Sequence, residues 1–294
     1  MRSIAQYPIV KVSQSSEQGA SPERIECDDL VVVEEPLEIW LSSYSKASPE
    51  LLLTTMRTPG DDLNLVRGWL YSSGAIQDPS KITSIVHTGT GRLKSEPTNR
   101  VQVNLAVGAN IDLAAYQRVE IMNSACGVCG QQSIENLLDK LPQTLRTEEQ
   151  VASLPISELR SLTQNLTANQ GIFAQTGGSH GVALFDQGLH ILDVREDVGR
   201  HNAFDKLIGA NIKMLAVDNH QVGSIWGGVL SSRASFELVQ KAAMVNIRFI
   251  IAMGAPTSLA IDLAKECDIC LLGFIKTSAN SIKFNVYSNP HLLA

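Results

Sequence analysis

The stretch that decides the fold is residues 224–274, which read SIWGGVL-SSRAS-FELVQKAAMV-NIR-FIIA-MGAPT-SLAIDLAK-ECD-ICLLGF. Its apolar runs predict strands over 224–230, 249–252 and 269–274, and the segments between them have helical spacing over 236–245 and 258–265. Alternating strands and helices indicate a layered α/β domain with a largely parallel sheet. Polar residues that follow each strand then meet at one sheet edge, which is the usual ligand crevice of such domains.

Outside this stretch the organisation is mixed, α/β in the second half and α+β overall. The pattern predicts a helix from Ser157 to about Asn169, a hairpin around Gln187-Gly188 and a helix over 201–210. The first half predicts two strands joined at Glu35-Pro36, a helix capped by Asp61 or Asp62, and further strands over 51–56, 82–86, 101–105 and 118–122. We divide the chain into a loose N-terminal tail (1–24), a smaller N-terminal α+β domain (25–123), a cysteine loop with a connecting helix from Ser133 (124–150) and a C-terminal domain (151–294).

Composition bounds the class of protein. Apolar residues make up 44% of the chain and charged residues 18%, which is ordinary for a globular protein. The net charge of −6 argues against a nucleic-acid partner, which would favour a basic stripe. No apolar run is long enough to span a bilayer, and the start lacks the features of a secretory signal. We therefore predict a cytoplasmic protein with neither nucleic-acid nor membrane partners.

Two potentially reactive thiols lie three residues apart in the segment Ser124-Ala-Cys126-Gly-Val-Cys129-Gly130. Glycines around the two thiols give the backbone freedom, and a helix beginning at Ser133 could lower a thiol pKa through its aligned N–H groups. Spacing alone leaves three interpretations open: half of a zinc site, a thioredoxin-like disulfide, or a nucleophile that carries sulfur as a persulfide.

A second CxxC pair, Cys267-Asp-Ile-Cys270, could complete a zinc site, but Cys267 ends a helical pattern and Cys270 lies in an apolar strand pattern. Buried structural cysteines are common, so we interpret both as core residues and predict no metal ligands. No histidine is followed two residues later by glutamate, which argues against a zinc-dependent deaminase.

Two polar loops of the second half indicate an anion site: Thr176-Gly-Gly-Ser-His180-Gly181 and Arg195-Glu-Asp-Val-Gly-Arg200-His201-Asn202. Adjacent glycines can turn N–H groups towards phosphate, Arg195 and Arg200 can clamp an oxyanion, and His180 and His201 can donate protons. An equally simple interpretation is that His201 caps the following helix. Arg233 begins another strand-to-helix junction, so together these loops predict a pocket for a phosphorylated ligand.

The chain resembles the FdhD family of formate dehydrogenase accessory sulfurtransferases. Its matching segments run from about residue 30 to the C-terminus and are Met56-Arg-Thr-Pro-Gly-Asp-Asp62, Cys126-Gly-Val-Cys-Gly130, Thr176-Gly-Gly-Ser-His180, Arg195-Glu-Asp-Val-Gly-Arg-His-Asn-Ala-Phe-Asp-Lys206, Arg233-Ala-Ser-Phe-Glu-Leu-Val239 and Gly254-Ala-Pro-Thr-Ser-Leu-Ala260. The resemblance implies a homodimer and a C-terminal three-layer domain like that of cytidine deaminases, without their zinc site.

The resemblance further implies that a cysteine desulfurase loads sulfur onto Cys126 as a persulfide, with Cys129 beside it. The sulfur would pass to the molybdenum bis-guanine-dinucleotide cofactor, a bound cargo rather than a permanent cofactor, before it enters the formate dehydrogenase catalytic subunit. The alternative is a cofactor chaperone that does no chemistry. The family's cofactor-binding segment falls on Phe274, Ile275, Lys276, Thr277, Ser278 and Ala279, where Lys276 replaces the expected arginine and loses its planar fork.

Overall fold

In the computed structural model, the described residues are 2–16, 21–44, 47–88, 99–109, 111, 153–215, 225–278 and 281–294. The second half forms a six-stranded sheet in the order β12-β11-β10-β9-β7-β8. Its strands are β7 (His180–Asp186), β8 (Ile191–Asp197), β9 (Ile225–Leu230), β10 (Phe249–Ala252), β11 (Cys270–Ser278) and β12 (Ser281–Ser288). Strands β9, β10 and β11 are parallel, whereas the flanking pairs are antiparallel, which confirms the predicted α/β sheet with a parallel centre.

Helices cover both faces of this sheet and make three layers. One core packs α4 (Arg200–Ala210), α6 (Phe236–Met244) and α7 (Ser258–Glu266) against one face, through residues such as Phe204 and Val239. On the other face, α2 (Leu159–Ala168) packs over a second core that holds the contacting rings of Trp226 and Phe249. Short helices α3 (Gly171–Thr176) and α5 (Ile212–Leu215) complete this half.

The first half contains a four-stranded sheet in the order β4-β3-β6-β5 and one helix. Its elements are β3 (Glu35–Ser42), β4 (Glu50–Arg57), α1 (Asp62–Ser72), β5 (Ile82–His87) and β6 (Arg100–Leu105), close to the predicted strands and helix. Helix α1 buries its apolar face on this sheet through Leu65, Val66 and Trp69. The strand predicted over 118–122 and the helix predicted from Ser133 lie outside the described residues.

The prediction of a loose N-terminal tail is wrong. Strand β1 (Ile4–Ser13) pairs antiparallel with β2 (Glu23–Val32) over their whole length, and they form a sheet of two strands. We call this sheet the ribbon. Its base is fixed where Val33 donates its N–H to the Ser3 carbonyl and where β2 packs against α3. The sequence analysis missed the strand because none of its residues is fully buried, so cross-strand pairing holds β1 without a core-facing apolar pattern.

The two halves meet where α1 crosses α4. A Cβ on Gly68 would lie 1.9 Å from the Asp205 carbonyl oxygen, and a Cβ on Gly209 would lie 1.9 Å from the Asn64 carbonyl oxygen. Only glycine at both positions permits this approach, so the helix backbones are in direct contact. This crossing fixes the first half against the helix that leads from the candidate site.

Candidate functional site

One edge of the six-stranded sheet gathers the predicted anion-binding residues. It is the carboxyl edge of the parallel strands, where β9 ends before Arg233 and β11 carries Phe274. Strand β7 is antiparallel to β9, so its first residue, His180, lies at the same edge. Strand β8 also ends here, and α4 begins with Arg200. The topology thus brings four loops of distant sequence together, as the sequence analysis predicted.

A basic cluster occupies this edge. Burial and the charges of Arg200 and Arg233 lower the pKa of His180, so the imidazole is neutral at pH 7. Burial and the charge of Arg233 also lower the pKa of Arg200. The Arg200 Nε atom is buried and has no hydrogen-bond partner, whereas Arg233 is exposed. Two converging guanidiniums with an unused donor are suited to an anionic ligand.

An acceptor lies beside the cations. The Glu237 Oε2 atom is 3.4 Å from His201 Nε2, is buried and has no hydrogen-bond partner. The His201 Nε2 atom also lies 3.0 Å from the Ser235 hydroxyl at the start of α6. His201 therefore links the ends of α4 and α6, and the Glu237 carboxylate raises the pKa of Arg200 against the effect of burial. The site combines the cations of Arg200 and Arg233 with one carboxylate acceptor.

Glu237 is also the end of a buried chain of ion pairs and hydrogen bonds that runs to α1. The Lys241 Nζ atom is 3.7 Å from Glu237 Oε1 and 2.9 Å from Asp205 Oδ1, and the Ser72 hydroxyl of α1 donates to Asp205 over 2.7 Å. Burial raises the pKa of Asp205 to about 6, although Lys241 opposes this rise. The charges of Asp205 and Glu237 in turn raise the pKa of Lys241. A continuous polar chain thus joins α1 to the basic cluster.

Arg195 has other partners. Its guanidinium contacts Asp61 at 3.1 Å and Asp193 at 3.1 Å, so the two arginines that the sequence analysis placed on one anion face different groups. The loop that follows is held from the first half: the Asp197 carboxylate accepts from the Thr58 N–H, and Lys206 donates to the Thr58 carbonyl over 2.8 Å. Burial raises the pKa of Asp197, while its 2.7 Å ion pair with Lys206 opposes the rise.

The glycines after α3 shape the loop instead of offering free donors. Gly177 adopts a positive φ of 64° at the helix end and donates its N–H to the Phe173 carbonyl. The Gly178 N–H donates to the Thr176 hydroxyl, and the Glu196 carboxylate accepts from the first N–H groups of α3. The expectation that these glycine N–H groups face a phosphate is therefore wrong, because they are used within the loop.

The predicted cofactor-binding segment lies on β11 next to the Arg233 loop. The Phe274 N–H donates to the Gly254 carbonyl, and the Gly254 Cα packs so closely on Arg233 that a Cβ would lie 2.9 Å from its backbone. Phe274 has a positive φ of 54° and a half-exposed ring. Ile275 is buried, whereas Lys276, Thr277 and Ser278 are exposed; Ala279 lies outside the described residues. Lys276 is directly opposite Lys283 of β12, which doubles the positive charge there.

The four cysteines of the CxxC pairs divide into two groups. Cys126 and Cys129 lie outside the described residues. Cys267 and Cys270 are buried, as predicted, and they pack into the cores on opposite faces of the sheet, so they cannot bind one metal ion together. Burial raises the pKa of Cys270 to about 12, which leaves it an inert thiol. Within the described ranges, no three His, Cys, Asp or Glu side chains form a metal-binding group.

Comparison with known proteins identifies the family. The model of the FdhD/NarQ family matches residues 32–294. The chain belongs to this family. Proteins named "Sulfur carrier protein FdhD" are similar to it: that of Streptomyces coelicolor is 38% identical over 275 residues, 90% of this chain and 89% of that protein. That of Corynebacterium efficiens is 40% identical over 268 residues, 88% of this chain and 89% of that protein.

A solved structure from Desulfotalea psychrophila, described as a candidate formate dehydrogenase accessory protein, has the same fold. Its TM-score is 0.67 at 22% identity, over 98% of this chain and 99% of that chain. The mixed α/β architecture is thus shared with that protein. In the described part of this chain the longest helices have 11 residues, too short to cross a membrane.

Several site residues escaped the sequence analysis. Glu237 and Lys241 are one helical turn apart on α6, a spacing that is common on ordinary solvated helices. Thr58 lies in a family segment, but only the fold shows that it holds the loop after β8. Lys283 opposes Lys276 through strand register, which spacing along the chain does not reveal.

Proposed function

We propose that this chain is a sulfur carrier with sulfurtransferase activity, which bears a persulfide on Cys126 and delivers its sulfur to the molybdenum bis-guanine-dinucleotide cofactor for formate dehydrogenase. Membership of the FdhD/NarQ family and relatives named sulfur carriers support the sulfur-carrier role. The observation that carries the choice of cargo is the cluster of His180, Arg200 and Arg233 at the sheet edge. We place the reaction in the cytoplasm, where thiols stay reduced.

Loading is a thiolate exchange. The Cys126 thiolate attacks the outer sulfur of a cysteine desulfurase persulfide, a new S–S bond forms at Cys126, and the desulfurase thiolate leaves with the electron pair of the broken bond. For delivery, the Cys129 thiolate attacks the Cys126 Sγ atom. Hydrosulfide leaves towards the cargo, and a Cys126–Cys129 disulfide remains, which a cellular dithiol reductant returns to two thiols.

The charges of the site fit the ends of this cargo. Each nucleotide end carries a pyrophosphate, and Arg200 offers a buried, unused N–H donor beside the exposed guanidinium of Arg233. Lys276 and Lys283 lie side by side on β11 and β12, where a second anionic group would offset their repulsion. Lysine in place of the family's arginine retains the charge needed for this contact but not bidentate geometry.

The cargo's recipient in this proposal is the formate dehydrogenase catalytic subunit. The net charge of the chain is −6, so the basic sheet edge differs in sign from the protein as a whole. This contrast favours docking of an anionic cargo at the sheet edge. The rest of the surface then remains available to the desulfurase and to the dehydrogenase.

The test starts from purified protein incubated with a cysteine desulfurase and cysteine. We expect an added mass of ~32 Da, one sulfur atom, that is removed by a thiol reductant. Cys126→Ala should lose the adduct and should fail to restore formate dehydrogenase activity to cells that lack the accessory protein. Cys27→Ala is the matched control and should retain both. Restoration of activity by Cys126→Ala would refute the sulfur-transfer step and favour a cofactor chaperone without chemistry.

A further inference from the structure

A polar groove runs between helix α2 and strand β8. Its volume is about 1030 Å³, and it lies at an edge of the six-stranded sheet, because β8 is the last strand in the sheet order. Four residues spaced four apart form the helical wall, namely Ser157, Ser161, Asn165 and Asn169. Residues 188–194, from the turn before β8 to the middle of that strand, form the other wall. None of these residues belongs to the candidate anion site.

The strand wall offers main-chain groups to the groove. In the part of the chain that the structure describes, β8 pairs with β7 alone, so no strand lies on its other side. The Val194 N–H donates over 2.8 Å to the carboxylate of the preceding residue, Asp193, a local contact that suits a strand edge. Unpaired N–H and C=O groups at such an edge are a template for a further strand. An incoming carbonyl would take the place of the Asp193 carboxylate.

The helical wall carries the same chemistry as a peptide backbone. Asn165 and Asn169 have carboxamides, which like peptide groups contain both a donor and an acceptor. The Asn165 Nδ2 atom donates to the Ser161 hydroxyl over 3.4 Å, and the Asn169 Nδ2 atom donates to the Asn165 carbonyl over 2.8 Å. All three side chains are exposed along one line. Four helical residues rise about 6 Å and two strand residues about 6.6 Å, so this wall nearly matches the repeat of an extended chain.

We propose that this groove binds an extended segment of a partner protein, which joins the sheet beside β8 as an additional strand. One backbone edge of the segment would pair with β8, and Ser161, Asn165 and Asn169 would bond its other edge. Main-chain hydrogen bonds supply the affinity in this mode of recognition, and side chains supply the specificity. Glu158 lines the groove, and neither Lys nor Arg is among its described lining residues, so basic side chains in the segment are favoured.

The lining disfavours other occupants. Small-molecule pockets are lined mainly by apolar and aromatic side chains, whereas serine, asparagine and carboxylate groups dominate here. A nucleic acid would bring its phosphates against Glu158 and Asp193. The groove also has a direction, since the Glu196 carboxylate near the end of β8 accepts from the first N–H groups of α3, which follows α2. It therefore leads to the sheet edge with the basic cluster, so a bound partner would be held beside the cargo.

The probe is a fluorescein-labelled peptide, Lys-Val-Lys-Val-Lys-Val-amide, titrated with the full chain and followed by fluorescence anisotropy. We expect saturable binding of one peptide per chain. Asn165→Leu should weaken it roughly tenfold, because the carboxamide makes two hydrogen bonds to the segment. Gln164→Leu is the matched control, since Gln164 is an exposed amide outside the groove, and it should leave affinity unchanged. Glu158→Gln should weaken binding roughly threefold and flatten its salt dependence. Equal melting temperatures show that the variants fold.

Two further measurements separate strand addition from contact by side chains alone. A peptide whose three valine nitrogens are methylated retains every charge but loses the donors of one backbone edge, so it should bind at least tenfold more weakly. Hydrogen exchange followed by mass spectrometry should show slower exchange of amides in residues 191–196 when the unmodified peptide is bound.

Four results would overturn the proposal. They are no saturable binding, equal affinity for the methylated peptide, equal losses from Asn165→Leu and Gln164→Leu, and exchange in β8 that the peptide does not change. The last result would mean that another segment or a second copy already covers this edge. The assay contains neither desulfurase nor cargo, so its outcome is independent of the proposed sulfur transfer.

Discussion

Substitution of Arg200 by glutamine tests the anion site most directly. The Arg200 Nε atom is buried without a hydrogen-bond partner, so a bound phosphate would gain a charge-assisted hydrogen bond that the free protein does not make. Such bonds contribute about 1.5–3 kcal/mol, or roughly 10- to 150-fold in the dissociation constant. The residue is partly exposed, which favours the lower end of this range. We therefore expect Arg200→Gln to weaken binding of GDP, the nucleotide end of the proposed cargo, roughly tenfold.

Isothermal titration calorimetry gives the dissociation constants, and Arg195→Gln is the matched control. Arg195 is already paired with Asp61 and Asp193, so its loss should leave GDP affinity almost unchanged. Affinity should also increase as pH falls below 7, because a bound diphosphate favours protonation of His180, whose pKa is lowered in the free protein. If Arg195→Gln weakens binding as much as Arg200→Gln does, or if neither does, the assignment of this sheet edge as the anion site fails.

Three further predictions concern the frame of the site. Gly68→Ala should lower the free energy of unfolding, measured in urea, by at least about 1–3 kcal/mol, because its Cβ would overlap the Asp205 carbonyl. Gly171→Ala is the control and should leave the free energy of unfolding unchanged, because no atom lies within 4 Å of the added Cβ. Lys241→Met should cost about 3–5 kcal/mol at pH 7 and less at pH 5. The difference arises because Asp205, whose pKa is raised to about 6, is protonated at the lower pH and then needs no cation. Lys283→Ser should weaken GDP binding and flatten its salt dependence, which fluorescence titration at several salt concentrations would measure; an unchanged salt slope would remove the Lys276–Lys283 pair from the site.

The architecture of the second half was predictable because burial sets its pattern. Strands such as Phe249–Ala252 are wholly buried and therefore continuously apolar, and the helices between them have one apolar face. The same reasoning assigned Cys270 to the core correctly, because an apolar strand pattern surrounds it. The ribbon could not be predicted in this way. No residue of β1 is fully buried, so its sequence shows no clear alternation of apolar and polar residues.

The site was only partly predictable, because sequence shows which groups are available but not which partners they meet. From the sequence, Arg195 and Arg200 are equally suited to bind an anion. The fold separates them, because it places Asp61 beside Arg195. His201 lies in the first turn of α4, whose N-cap is Gly199, and its Nε2 atom lies 3.0 Å from the Ser235 hydroxyl of the next helix, so His201 is not the residue that caps α4. Glu237 can be recognised as a site residue only in the fold, because Arg200 of α4 and Arg233 are brought near it there.

The hydrogen bonds between Thr58 and the loop after β8 limit how this protein can be divided. Asp197 accepts a hydrogen bond from the Thr58 amide, the Val198 N–H donates to the Thr58 hydroxyl, and Lys206 donates to the Thr58 carbonyl. The first half therefore holds the loop that borders the proposed anion-binding edge. A fragment starting near residue 153 would retain every strand of the large sheet but would lose these hydrogen bonds. A shortened protein made to test nucleotide binding should therefore retain residues 57–62 together with α1, or replace them with an engineered segment that makes the same hydrogen bonds.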